Sequence, residues 1–113
     1  MKYKHILLIP LLLFIGACVQ QTEEQSSAVE ASTAATVEIK DFKFVPDTVT
    51  IKRGGTVTWI QRDSAPHTVA LTDIPESPRL EQGDTWSYTF DKTGNYNYIC
   101  GIHPYMKGRI IVK

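Results

Sequence analysis

Residues 98 to 112 read Tyr98-Ile-Cys100-Gly-Ile-His103-Pro-Tyr-Met106-Lys-Gly-Arg-Ile-Ile-Val112. Two apolar, strand-like runs flank a loop in this stretch, and the loop carries a thiol, an imidazole and a thioether. These groups, on Cys100, His103 and Met106, recur at intervals of three residues. The stretch therefore predicts a strand that ends at Cys100, a loop with three candidate metal ligands, and a further strand after the loop.

The chemistry of these side chains indicates which metal the loop would bind. Thiolate and thioether are soft ligands and imidazole is intermediate, a combination that suits copper better than calcium or magnesium. Two histidines and one cysteine in a trigonal site, with a weak axial methionine, form blue-copper electron-transfer centres. The loop supplies one histidine only, so a second must come from elsewhere. His67 is the remaining candidate outside the N-terminal leader.

Short alternating apolar runs, separated by turn residues, continue through the sequence from Val37 onward. The Arg53-Gly-Gly55 segment is interpreted as one of these turns, and no segment shows a convincing helical period. About seven to eight strands at this spacing predict an all-β domain, a sandwich or a barrel, over residues 37–113. Val37 and Ile39 alternate along one predicted strand, and Phe42 and Phe44 follow with the opposite parity. This shift predicts a β-bulge near Lys40–Asp41.

The same alternation predicts how two distant ligands could meet. It places Cys100 on the inward side at the end of a strand, and His67 at the start of its own strand, just after Pro66. Two such strand ends at one pole of a sandwich can bring His67 and Cys100 together.

Tyr96 is predicted to have a structural role, because a tyrosine at a sandwich corner can donate a hydrogen bond from its hydroxyl to the upstream backbone.

Residues 1–17 are interpreted as a lipoprotein signal peptide. A basic opening precedes an apolar run, Ile6 to Ile15, that is shorter than the ~20 apolar residues of a membrane-spanning helix. Ile15-Gly16-Ala17-Cys18 resembles a bacterial lipobox, in which the cysteine is lipidated and becomes the mature N-terminus. The alternative is ordinary secretory cleavage after Ala17, which would leave Cys18 as a free or disulfide-bonded thiol.

Residues 18–36 are interpreted as the lipidated cysteine and a flexible linker. The stretch after Cys18 is rich in Gln, Glu, Ser, Thr and Ala and has no hydrophobic periodicity, so it cannot bury a core. Such a tether would span on the order of 25 Å. If Cys18 carries lipid, Cys100 has no disulfide partner in the chain; a Cys18–Cys100 disulfide is the alternative.

Length and charge narrow the classes of function. At 113 residues the chain has room for one domain and little more. Without residues 1–17 it has ten basic and twelve acidic side chains, a net charge of −2. It contains no basic stripe, so we expect no nucleic-acid binding. A nearly neutral domain would not steer a partner strongly over long range.

Three stretches around the candidate ligands together resemble a known pattern. They read Trp59-Ile-Gln-Arg-Asp-Ser-Ala-Pro-His67-Thr-Val69, Gly94-Asn-Tyr-Asn-Tyr-Ile-Cys100 and Cys100-Gly-Ile-His103-Pro-Tyr-Met106-Lys-Gly. Together they resemble the cupredoxin family over residues 37–113. The branch that they resemble most is the amicyanin-like proteins, whose C-x-x-H-P-(F/Y)-M loop is shorter between His and Met than the plastocyanin or azurin loops. Gln61 departs from the amicyanin pattern, which has Asn at this position.

The resemblance implies a Greek-key β-sandwich that holds one mononuclear type 1 copper ion. It makes His67, Cys100 and His103 the equatorial ligands and Met106 the axial ligand. In cupredoxins the loop histidine reaches the surface within an apolar patch where redox partners dock. Carried over, this makes His103 the electron port and makes Pro66, Pro104 and Tyr105 part of the docking face. The alternative for Pro104 and Tyr105 is loop stiffening and local packing.

The expected function is the transport of single electrons, with copper cycling between Cu(I) and Cu(II) and no enzymatic turnover. The expected partners are redox proteins such as a c-type cytochrome, a dehydrogenase or an oxidase, and the membrane through the N-terminal lipid. We expect a monomer on the extracytoplasmic side of a bacterial membrane, in the periplasm or at the cell surface.

Three other functions compete with electron transport. A copper-delivery protein would use similar ligands, but delivery favours an open, exchangeable site. An enzyme with Cys100 as nucleophile and a histidine as base would leave Met106 without a role. A zinc site normally has no use for a thioether. Intense visible absorption with Cu(II), lost on reduction, separates electron transport from the enzyme and zinc alternatives.

Overall fold

The computed structural model describes residues 31–113. The predicted signal peptide, Cys18 and most of the predicted linker lie outside the described residues. Residues 31–113 form seven strands and no helix: β1 (Ser32–Lys40), β2 (Lys43–Val45), β3 (Thr48–Gln61), β4 (Ala70–Leu71), β5 (Thr85–Thr89), β6 (Gly94–Ile99) and β7 (Lys107–Val112). Accordingly, this part of the chain contains no helix that could cross a membrane. The all-β class and the number of strands are confirmed.

Strand β3 belongs to both halves of the fold. Its second half pairs in parallel with β1 and antiparallel with β5, and its first half pairs in parallel with β7. The strand order is β2-β1-β3-β7-β6-β4, with β5 also on β3. Between the two halves, Gly54 has φ +88°, a conformation that glycine adopts at little cost. The predicted turn at Arg53–Gly55 is therefore a bend within one strand, which lets the sheet fold over on itself.

The two halves pack face to face through inward-pointing aromatic side chains. Trp59 of β3 is fully buried, and its Nε1–H donates a hydrogen bond of 3.1 Å to the hydroxyl of Tyr98 on β6. Phe44 of β2 packs against the same tyrosine, with ring centroids 4.6 Å apart. Burial raises the pKa of Tyr98, so the phenol stays protonated as a hydrogen-bonding group of the core. A side chain at Gly108 would collide with the Tyr98 ring.

The first strand begins earlier than the alternation predicts. β1 starts at Ser32, five residues before the predicted boundary at Val37. Ala34 and Ala35 pair with Thr56 and Val57 of β3. Backbone pairing of this kind needs no apolar side chains, so the hydrophobic pattern could not show it. The structure thus assigns residues 32–36 to the sheet rather than to a flexible linker.

The predicted bulge near Lys40–Asp41 is wrong, because a tight hairpin turn occupies this position. Lys40 pairs directly with Lys43, which leaves Asp41 and Phe42 as a two-residue loop between β1 and β2. Both loop residues have positive φ, 53° and 56°. Positive φ at both positions is the feature of the turns that best match the twist of a hairpin. Phe42, which the alternation placed on a strand, is therefore an exposed turn residue.

The chain segments that carry the candidate ligands lie at the end of the sheet. β6 ends at Ile99, directly before Cys100. His67 does not start a strand as predicted: it forms an isolated antiparallel bridge with Leu80, and β4 begins only at Ala70. The predicted corner role of Tyr96 is confirmed, because its hydroxyl donates to the backbone oxygen of Lys92 at 2.7 Å.

Candidate metal centre

The fold brings together three side chains that could bind one metal ion. The ligand atoms of His67, Cys100 and His103 all lie within 4.8 Å of one another. The Cys100 Sγ lies 3.6 Å from Nδ1 of His67 and 3.9 Å from Nδ1 of His103. The two Nδ1 atoms are 3.2 Å apart. Three of the four predicted ligands thus converge, as the sequence predicts.

These separations match what a small metal ion requires. With metal–nitrogen bonds of about 2.0 Å and a metal–sulfur bond of about 2.3 Å, angles between tetrahedral and trigonal place ligand atoms roughly 3.3–3.8 Å apart. The three observed distances lie close to this range. Two imidazoles and one thiolate are also the equatorial set of a blue-copper centre. The residues therefore fit a copper ion in both geometry and chemistry.

The Cys100 sulfur is buried and accepts hydrogen bonds from the backbone. Cys100 is completely buried and is a free cysteine. The N–H groups of Thr68 and His103 each approach Sγ to 3.4 Å. The Thr68 hydroxyl in turn accepts the N–H of Gly101 at 2.8 Å, which links the two segments that flank the sulfur. Hydrogen bonds to a ligand sulfur, together with burial, tune the redox potential of the metal.

Backbone hydrogen bonds close the ligand loop upon itself. The Cys100 N–H donates to the backbone oxygen of Met106 at 3.1 Å, and the Met106 N–H donates to that of His103 at 2.9 Å. Met106 is 2 % exposed, so its thioether belongs to the interior at this end of the sandwich. Its role as the axial ligand stays a prediction.

His67 is fixed by a carboxylate that the sequence reasoning did not single out. Nε2 of His67 lies 2.8 Å from Oδ2 of Asp63. Burial raises the pKa of Asp63, but hydrogen bonds from the Phe42 N–H, from His67 and from the Asp41 N–H outweigh it, so the pKa is lowered. Since a carboxylate only accepts, Nε2 of His67 carries the proton and Nδ1 is free to bind a metal.

Gln61 holds the segment between Asp63 and His67 in place. Its side chain is fully buried, and its Nε2 donates to the backbone oxygens of Ala65 at 2.8 Å and Leu80 at 3.2 Å. Its Oε1 accepts the N–H of Asp63 at 2.6 Å. The residue that departs from the amicyanin pattern thus supports the His67 loop through two hydrogen bonds, and a third ties the loop to Leu80.

Phe42 is a second residue of the site that the alternation did not identify. Its ring lies edge-on to both imidazoles, with centroid distances of 5.3 Å to His67 and 5.2 Å to His103. The side chain is 41 % exposed. Only its position on a turn that folds back over the site brings it there, and no spacing in the sequence signals that contact.

The residues predicted to form the docking face differ in their exposure to solvent. His103 and Pro66 are half-buried, whereas Pro104 and Tyr105 are exposed. Tyr105 is 66 % exposed, and its ring centroid lies 6.1 Å from that of His103. Ile102 adds a further exposed apolar side chain on the same loop. His103 is thus the most accessible of the three converging ligands.

Comparisons with known proteins assign the family. A family model described as a cupredoxin-like domain matches residues 6–112. Amicyanin-alpha from Methylorubrum extorquens is 37 % identical over 94 residues, which cover 76 % of this chain and 79 % of that protein. The structure of the reduced Cu(I) form of an amicyanin variant superimposes with a TM-score of 0.68 and 32 % identity, covering 76 % of this chain and 88 % of that chain.

A copper-containing nitrite reductase from Thermus scotoductus also superimposes, with a TM-score of 0.65 and 33 % identity over 71 % of this chain. The chain spans only 22 % of that enzyme. Together, these matches show that the chain belongs to the cupredoxin family, and its likeness within the family is to amicyanins. Copper is thereby confirmed as its cofactor. These amicyanin relatives are electron carriers rather than enzymes, in agreement with the prediction.

Proposed function

We propose that the protein carries single electrons between redox partners at an extracytoplasmic membrane surface. One type 1 copper ion, held by His67, Cys100 and His103, would supply the Cu(I)/Cu(II) redox chemistry. The observation that carries the proposal is the convergence of one buried thiol and two imidazole Nδ1 atoms within 4.8 Å. We infer that Met106, buried on the same loop, is the weak axial ligand.

The surroundings of the ligands favour fast electron transfer. His67 and Cys100 are completely buried. His67 donates a hydrogen bond to the Asp63 carboxylate, and the Cys100 sulfur accepts hydrogen bonds from backbone N–H groups. Ligands that are fixed in this way can move little when the charge at the centre changes. A site that stays nearly the same in both oxidation states exchanges electrons with little reorganisation.

His103 is the proposed electron port. It is half-buried, whereas the other two ligands are completely buried, so a partner can approach the centre most closely along this imidazole. Pro66, Pro104 and Tyr105 would form the contact face around it. A short-lived redox encounter needs only a small interface, which these few residues can supply. The partner class is a redox protein such as a c-type cytochrome, a dehydrogenase or an oxidase.

The proposed location rests on the N-terminal sequence. Residues 1–17 have the composition of a lipoprotein signal peptide, and Cys18 follows a small-residue pattern typical of lipidation. We propose that a monomer is tethered by lipid at Cys18 to the outer side of the cytoplasmic membrane or to another extracytoplasmic surface. Mass spectrometry of the membrane-extracted protein tests this directly. A diacylglyceryl mass on an N-terminal Cys18 supports it, and a lipid-free N-terminus contradicts it.

A redox titration tests the electron-carrier function. The copper-loaded protein should lose its visible absorption on one-electron reduction and recover it fully on oxidation, over repeated cycles. A mild chelator should not remove the copper during this time, because two of the ligands are completely buried. Rapid and reversible loss of copper to the chelator would favour copper delivery instead, and an irreversible reduction would contradict the proposal.

A further inference from the structure

We propose that Asp63 is a positioning residue that couples the metal centre to the β1–β2 turn. Through one carboxylate it orients His67 and also holds the turn that places Phe42 over both imidazoles. This inference rests on the proposed copper site, but its first test needs no copper.

The Asp63 carboxylate is saturated by three donors from two parts of the chain. Oδ1 accepts the N–H of Asp41 at 2.7 Å. Oδ2 accepts the N–H of Phe42 at 2.9 Å and Nε2–H of His67 at 2.8 Å. The carboxylate itself is mostly sheltered, with 13 % of its side-chain surface exposed. A single group therefore joins the hairpin turn to the candidate ligand.

The turn has a particular need for this support. Asp41 and Phe42 both have positive φ, and a bulky residue such as phenylalanine is rarely found in that region. Two N–H groups of the turn point at the carboxylate, so Asp63 satisfies donors that the hairpin itself leaves without partners. Without Asp63, the turn would keep its sequence but lose the contact that selects this conformation.

The position of Phe42 makes the turn relevant to the metal centre. Its ring stands nearly perpendicular to both imidazoles, at interplanar angles of 83° to His67 and 87° to His103. A ring in this place limits the rotation of both imidazoles and excludes water from the space between the turn and the ligand loop. Asp63 thus acts on His67 directly and on His103 through Phe42.

An amide cannot replace this carboxylate. Asparagine has one acceptor oxygen and one NH₂ group, and in either orientation its NH₂ would face at least one of the three N–H donors. The Asp63→Asn variant therefore breaks the arrangement while it keeps the shape of the side chain. Asp91→Asn is the matched control, because it removes the same charge from an exposed residue next to Phe90, which bonds to Gly54 and Gly55 at the bend of β3.

The first experiment measures amide hydrogen exchange by NMR in the copper-free protein. In the wild type, the N–H groups of Asp41 and Phe42 should exchange with solvent more slowly than the N–H groups of an ordinary exposed turn. In D63N they should exchange at least about tenfold faster, while the amide of Trp59 in the core is unchanged and D91N behaves as the wild type. Fast exchange at both turn amides in the wild type would overturn the proposal even if D63N fails to fold.

The second experiment uses copper. Loss of a partner that orients a metal-binding histidine typically weakens metal affinity by about 10–100-fold. D63N should show a loss in this range and an altered Cu(II) electron spin resonance spectrum, and D91N should show neither. If the two sites are coupled, the double variant D63N/F42A loses less affinity than the two single losses predict together. Additive losses, or a D63N spectrum identical to wild type, would overturn the coupling; a wild-type protein without a type 1 spectrum would instead refute the proposed function.

Discussion

The sandwich and its metal-binding end, which is formed by the segments around His67 and from Cys100 to Met106, are built from different kinds of contact. In the sandwich, apolar side chains such as Trp59, Phe90 and Ile110 are almost completely buried. At the metal-binding end, buried polar groups such as Gln61 and His67 take their place, and each has a specific hydrogen-bond partner. The first region depends mainly on apolar residues at alternating positions, whereas the second depends on particular atoms at particular distances.

This difference predicts how the two regions respond to substitution. Full burial of a large apolar side chain contributes about 1.5–3 kcal/mol, and it acts on the stability of the whole domain. A hydrogen bond contributes about 1 kcal/mol net, but it fixes the direction of a ligand. Changes in the sandwich should therefore lower the free energy of unfolding. Changes at the metal-binding end should affect copper affinity and the copper spectrum more than the free energy of unfolding.

The largest effect is expected for Trp59→Ala, which should disrupt both regions. Removal of this completely buried side chain should lower the free energy of unfolding by about 3–5 kcal/mol, most of the stability of a small domain. Denaturant unfolding of the copper-free protein measures the loss. Trp86→Ala is the control, because Trp86 packs beside Trp59 but is only partly buried. Equal losses for the two variants would contradict the assignment of Trp59 to the centre of the core.

Cys100→Ser should abolish the metal centre and leave the sandwich folded. A hydroxyl is a far weaker ligand for copper than a thiolate, so the intense visible absorption should disappear and copper affinity should fall. Visible spectroscopy and a competition titration measure these losses. The copper-free variant should retain the strand signature of the wild type by circular dichroism. An unchanged colour would show that Cys100 does not bind the metal.

Tyr98→Phe should destabilise the sandwich by a smaller amount. The variant leaves Nε1–H of Trp59 buried without its acceptor, which costs about 1–3 kcal/mol. Tyr88→Phe, on a partly exposed tyrosine, is the control and should cost less than about 0.5 kcal/mol. A loss for Tyr98→Phe as small as that of the control would contradict a structural role for the hydrogen bond.

Tyr98 also predicts a pH dependence at the alkaline end. Because burial raises its pKa in the folded state, the unfolded chain loses this proton first as pH rises above about 10. The wild type should therefore lose stability above that pH, and Tyr98→Phe should lack this part of the loss. Denaturant unfolding at several pH values between 8 and 11 tests it; identical pH profiles would contradict the prediction.

The smallest effect on structure is expected for Tyr105→Ala. Tyr105 is 66 % exposed, so the change should alter the free energy of unfolding by less than about 0.5 kcal/mol and leave the copper spectrum intact. Electron transfer to a redox protein should nevertheless become slower, because the contact face beside His103 is reduced. Stopped-flow kinetics with cytochrome c as a test partner measures the rate. Val45→Ala, another exposed apolar residue, is the control, and an equal rate for both variants would contradict the docking role.

The two regions also differ in how much of their structure could be predicted from the sequence. The inward positions Val37, Ile39 and Val57 follow from alternation, because a strand with one buried face repeats every two residues. Cys100 and His103 follow from their chemistry and spacing, since the loop carries both. Each of these signals lies within a few residues of the chain, so it can be recognised without the fold.

The features that were missed depend on contacts between distant segments. Ser32 to Thr36 join the sheet through backbone pairing, which has no side-chain signature. Phe42 looks like a core residue until the hairpin turn carries it to the metal-binding end. Asp63 stands four residues before His67, but its bonds to Asp41 and Phe42 require the finished fold.

The optical and electron spin resonance spectra of the copper-loaded protein test the central claim most directly, namely that two imidazoles and one thiolate bind a single copper ion. We predict an intense blue absorption in the Cu(II) form that vanishes on reduction, with the narrow copper hyperfine splitting of a type 1 centre. A pale Cu(II) complex with the wide splitting of a tetragonal site would contradict the claim.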